Sequence, residues 1–113
     1  MRLRQARSIT YPAPENNHQA QALRQLAGAA QRICNEFDVT ATVYHQRGLF
    51  AEDAIAGVLF ERDGEYAGSI TRRGFHVHGA LRACASLLDA AHERGTPLHR
   101  IGAEPSIVAT DGD

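Results

Sequence analysis

The stretch AIAGVLFERDGEYAGSITRR, residues 54 to 73, limits what this chain can fold into more than any other. Asp63-Gly64 sits between two strand-like runs, and a two-residue type I′ turn needs left-handed backbone at both central positions. Glycine takes that conformation freely, and aspartate tolerates it better than most residues. A tight hairpin with an uninterrupted ladder places Arg62 opposite Glu65, Phe60 opposite Ala67 and Val58 opposite Ser69, with Leu59 and Ile70 on the other side. One face of such a hairpin must be covered, but alternation alone does not say which.

The covering elements flank the hairpin. Asn16 or Asn17 supplies an N-cap, and Leu23, Leu26, Ala27, Ala30, Ile33, Cys34 and Phe37 repeat at helical spacing. That helix ends near Asp38. Its opposite face carries Gln21, Arg24, Gln25 and Arg32, with Gly28 a weak point. VTATVYH, Val39 to His45, is rich in β-branched residues and reads as a strand. QRGLFAED follows as a loop with Leu49 and Phe50 at its tip. A second helix starts near Phe75 or His76 and buries Val77, Ala80, Leu81, Cys84, Leu88 and Ala91. Gly95 stops it, with Pro97 beyond.

The order is therefore α–β–β–β–α. The fold class this implies is α+β: a three-stranded antiparallel sheet with two helices packed on one face. Residues 16–104 form the single domain. Residues 1–15, with Arg2, Arg4 and Arg7, are either an arm or an edge strand at ARSITYP. Residues 105–113 are a tail or a short strand at PSIVATD.

Composition narrows the partners. A chain of 113 residues is one domain by length, and its net charge of −1 gives no global field to attract nucleic acid. Any such binding rests on a local patch. All 12 basic residues are arginine, whose forked guanidinium suits phosphate and carboxylate. Cys34 and Cys84 fall on the apolar stripes and read as reduced core residues, not as a disulfide scaffold. The basic opening MRLRQARSITYPAP has no apolar run of the secretory kind, and nothing reaches the length of a membrane span. An intracellular, cytoplasmic protein without a membrane partner is the expectation.

The stretch ERDGEYAGSITRRGFHVHGALRACASLLDAA, with Gly64, Gly68 and Arg72-Arg73 ahead of an alanine-rich helix, resembles a double-stranded RNA-binding domain in outline. The resemblance spans roughly residues 18 to 94. It implies phosphate contacts at Arg72 and Arg73, with His76 or Arg82 beside them. It also implies a minor-groove helix presenting Gln21, Arg24 and Gln25, and a minor-groove loop at QRGLFAED. That loop departs from the family's pattern and carries Glu52 and Asp53.

Between Tyr66 and Leu88 no acidic residue interrupts Arg72, Arg73 and Arg82. A helix start adds unpaired N–H groups, so this segment is the candidate anion site. His76 and His78 lie two apart, and on a regular helix such residues point about 200° apart, which disfavours metal chelation. A pH-sensitive patch is the other reading of the pair. No nucleophile elbow, glycine-rich phosphate loop, cofactor motif or metal-ligand spacing is present. The expectation is a non-enzymatic binding domain that contacts nucleic acid, double-stranded RNA by resemblance, through Arg72, Arg73, His76, Arg82, Arg24 and Gln21. The alternative is a protein-interaction module, such as a phage- or mobile-element-encoded inhibitor of a nucleic-acid-handling defence complex, that uses Leu49, Phe50 and Tyr66. Pairing through a sheet edge would make a homodimer.

Overall fold

A computed structural model describes residues 9–102. The elements are β1 (Ile9–Thr10), α1 (Asn17–Phe37), β2 (Thr40–Gln46), a 3-10 turn (Ala51–Asp53), β3 (Ala54–Arg62), β4 (Glu65–Gly74), α2 (His76–Arg94) and α3 (Leu98–Ile101). The strands form one sheet in the order β1-β2-β3-β4, with β1 parallel to β2 and the other pairs antiparallel. The fold is α+β, and the sheet is four-stranded and mixed because Ile9 and Thr10 pair with Ala41 and Thr42. The Arg2, Arg4 and Arg7 segment and PSIVATD lie outside the described residues.

Local chemistry sets the boundaries of α1. Asn16 Oδ1 accepts from the Gln19 amide at 2.9 Å, and Gln19 Oε1 accepts from the Glu15 amide at 3.1 Å. The helix ends at Asp38, left-handed at φ 61°, whose amide donates to the Cys34 carbonyl. Helix α2 ends at Gly95, also left-handed at φ 70°. The buried arc of α1 includes Ala22 and Ala29 as well as the expected leucines, while Ala27 and Phe37 are only partly covered. The arc is wider than a one-sided stripe because α1 packs on both α2 and the sheet. Helix α3 was not expected; its four residues are too few to show a period, yet Leu98 and Ile101 close the end of the core beside β4.

The hairpin corrects the expected register. Asp63 (φ 54°) and Gly64 (φ 81°) are left-handed as the turn requires, and Arg62 does pair with Glu65. A β-bulge then shifts the ladder between Phe60 and Glu61: Glu61 faces Tyr66, Phe60 faces Gly68 and Val58 faces Ile70. Ala67 is the extra residue. The shift moves every later side chain of β4 to the opposite face. Ile70 therefore joins Val58 and Phe60 under the helices at 2% exposure instead of lying beside Leu59.

The row His45–Ala56–Arg72 also lies on the helix side, while Gln46–Ile55–Arg73 lies on the open side. On that open face the Tyr44 ring covers Gly57, where a side chain would collide with it, and its hydroxyl lies 3.2 Å from Thr71 Oγ1.

Two glycines give opposite expectations. Gly28 is helical, exposed and has nothing near its missing Cβ, so Gly28→Ala should stabilise the fold by about 0.5–1 kcal/mol. A Cβ on Gly74 would lie 2.4 Å from the Ala80 amide nitrogen, so Gly74→Ala should cost about 1–3 kcal/mol. Urea unfolding of the two variants checks both signs.

Candidate functional site at the common end of the helices

Three strands separate the two helices, and each connection reverses the chain, so α1 and α2 run parallel. Their polar pairs advance in step along the seam. His18 meets His78, Arg82 donates to Gln25 Oε1 at 2.9 Å, Arg32 pairs with Asp89, and His92 Nδ1 lies 2.9 Å from Glu36. Both helix N-termini therefore open at the same end of the molecule. The β2–β3 loop closes over that end. Together these elements line a concavity of about 660 Å3 whose walls include Asn16, His18, Arg47, Leu49, Phe50, His76 and His78.

A histidine cluster forms part of the wall, with His18 and His76 exposed and His78 half-buried. The His18 and His78 rings lie 5.1 Å apart between centroids, and His76 and His78 lie 5.4 Å apart at an interplanar angle of 19°. This corrects the expectation that His76 and His78 diverge. His76 is left-handed at φ 63°, so its side chain leaves the helical spiral and turns beside His78. The Phe75 ring packs edge-on against His76 at 4.4 Å. Phe75 is the N-cap of α2 and gives no side-chain cap, in contrast to Asn16 on α1.

The rim is apolar and outward-facing at Leu49, 88% exposed, and Phe50, 60% exposed. Phe75, 62% exposed, adjoins it through its contact with His76. Arg47 is held by Glu15, and its guanidinium draws the Glu15 carboxyl below the usual carboxylate range. Burial holds His78 below the ordinary imidazole value of 6.5, and the positive charges of His18, His76 and Arg82 push the same way. Cys84 is a core residue. Its thiol contacts the Ala56 carbonyl at 3.4 Å, and burial pushes its pKa up to about 12. Cys34 is equally buried, and both cysteines are free.

The residues expected to form one basic patch are spread over several surfaces. Arg72 lies on the helix side of the sheet beside Ala56 and bonds the Thr71 carbonyl at 2.7 Å. Arg73 lies on the open face, and Arg82 is engaged in the helix seam. Gln21 and Arg24 are exposed on the outer side of α1, and of the named α2 residues only His76 lines the concavity. Tyr66 does not share a surface with Leu49 and Phe50. The length of β3, about 30 Å at strand rise, separates them. Tyr66 borders instead a shallow groove of about 310 Å3 with Ser69, His99 and Gly102. His18, Arg47 and Phe75 belong to the site and were not singled out from the sequence.

Among the described residues no group of three or more metal-ligating side chains is placed to hold an ion, and no helix is long and apolar enough to cross a membrane. No family model, no curated protein and no solved structure matches this chain. None of these comparisons ties the chain to double-stranded RNA-binding domains.

The lowered His78 pKa sets the sign of one pH effect. Between pH 6.5 and the lower folded value, the unfolded chain binds more protons than the folded one. His78 therefore contributes stability that is present above 6.5 and is lost as pH falls through its folded value. The thermal unfolding midpoint of the wild type should fall on acidification through this window, and His78→Gln should flatten that part of the profile.

Proposed function

We propose that this chain is a non-enzymatic nucleic-acid-binding domain whose contact surface is the common end of its two helices. The observation that carries the reading is the coincidence of two features around one concavity. Donor groups suited to phosphate come from the uncapped start of α2, Arg47 and the imidazoles. Exposed aromatic faces suited to stacking bases come from Phe50 and Phe75. Gln21 and Arg24, exposed on α1, extend the surface along the helix. The dispersal of Arg72, Arg73 and Arg82 leaves no continuous basic stripe of the sort a duplex backbone tracks. That favours a single strand or an unpaired end over the double-stranded RNA implied by family resemblance.

The test is fluorescence anisotropy of labelled single-stranded and double-stranded RNA and DNA at two salt concentrations. Single strands should bind more tightly than duplexes, and affinity should fall as salt rises. Phe50→Ala and Phe75→Ala should each weaken single-strand binding about five-fold or more, since a base–aromatic stack contributes about 1–3 kcal/mol. Arg72→Ala should leave binding nearly unchanged. Absence of binding to every probe at low salt would overturn the reading. The exposure of Leu49 supports a second reading in that event: Leu49, Phe50 and Phe75 as the apolar anchors of a protein-contact surface, serving an inhibitor or another interaction module.

A further inference from the structure

This inference rests on the nucleic-acid reading and concerns how the same concavity holds a phosphate. His18, His76 and His78 bring three imidazoles together with centroid spacings of 5.1 and 5.4 Å along the cluster. Among the described residues none of their ring nitrogens has a hydrogen-bond or ion-pair partner. His92, by contrast, sits against Glu36.

The surroundings are cationic or already neutralised. Ahead of α1, Glu15 is occupied by Arg47 of the loop, and from α2 the cluster is approached by Arg82, which lies in the seam with Gln25. His45 of β2 adds a further imidazole near Glu15, with a buried Nε2. Arg72 of β4 lies on the same side of the sheet, while Arg73 faces away. Glu52 and Asp53 of the 3-10 turn do not line the concavity.

Protonating His78 is opposed by its burial and by the positive charges of His18, His76 and Arg82 around it. A phosphate reverses that balance. Its charge favours the imidazolium form, and each imidazolium offers two N–H donors to phosphate oxygens. Anion binding and proton uptake are then linked, so each strengthens the other. A divalent cation fits less well, because the positive helix ends repel it and, among the described residues, no group of three or more ligating side chains is placed to hold one.

We propose that His18, His76 and His78 form a proton-coupled phosphate subsite, which grips a nucleic-acid phosphate at mildly acidic pH and loosens as pH rises through neutrality.

The experiment measures anisotropy of a labelled oligouridine with the full chain at about pH 5.5 and about pH 7.5, at matched ionic strength, on either side of the imidazole range. Binding should be about ten-fold tighter at the lower pH, as uptake of one proton allows. The ratio should fall to about two-fold or less in the His18→Gln/His76→Gln/His78→Gln variant, with the single variants intermediate and His99→Gln unchanged.

Proton NMR of the same proteins with inorganic phosphate reads the subsite without a nucleic acid. The His18, His76 and His78 resonances should move and their titration midpoints rise. Oligouridine binding that is independent of pH and survives the triple substitution would overturn the subsite while leaving the nucleic-acid reading in place. Failure of oligouridine to bind, with phosphate still raising the three midpoints, would overturn the nucleic-acid reading and leave the subsite. Phosphate that moves none of the three, or zinc that moves them at lower concentration than phosphate, would overturn the subsite.

Discussion

The bulge between Phe60 and Glu61 governs most of what lies beyond it. One added residue in β4 turns Gly68, Ile70, Arg72 and Gly74 toward the helices and Ser69, Thr71 and Arg73 toward the open face. Without it, a serine hydroxyl would enter the core where Ile70 now packs, and an apolar side chain would face away from the helices. The bulge also brings Gly74 beneath Ala80, close enough that only a glycine fits there. The chain passes from strand to helix directly at that contact. The start of α2, and with it His76 and His78, is fixed relative to the sheet by a packing choice made ten residues earlier.

Much of this architecture is written locally. Asn16, Asp38, Asp63-Gly64 and Gly95 each act through their own backbone preferences, which is why helix ends and the hairpin turn are legible in the sequence. The bulge is not written that way. Alternation in EYAGSIT suits either register, and the burial of Ile70 against two helices decides between them. The same ambiguity explains why Arg72 and Arg73 read as a pair although the sheet separates them. The left-handed backbone of His76 likewise has no unique local signal, since most residues at a helix start are regular.

His18 illustrates a signal that was present. An odd number of strands between two helices makes the helices parallel, so residues in the first turn of each must approach one another. Element order alone therefore relates His18 to His78, although 60 positions separate them. The remaining step, that Arg47 and Phe50 line the same space as these histidines, needs the path of the β2–β3 loop, which the sequence leaves open.

The histidine end is electrostatically unusual for a helix pair of this orientation. Parallel helices place two positive termini side by side, and the usual complement is a carboxylate or a capped, neutral surface. Here α1 follows that pattern through Asn16 and Gln19, and the Glu15 carboxylate beside it is taken by Arg47. Helix α2 lacks a side-chain cap and adds two imidazoles to its first turn. Lower on the seam the pattern reverses to matched pairs, Arg32 with Asp89 and His92 with Glu36. Stability alone gives no reason to match charges along the lower seam and leave like groups together at its mouth. The proposed phosphate, which brings its own negative charge, would supply that reason.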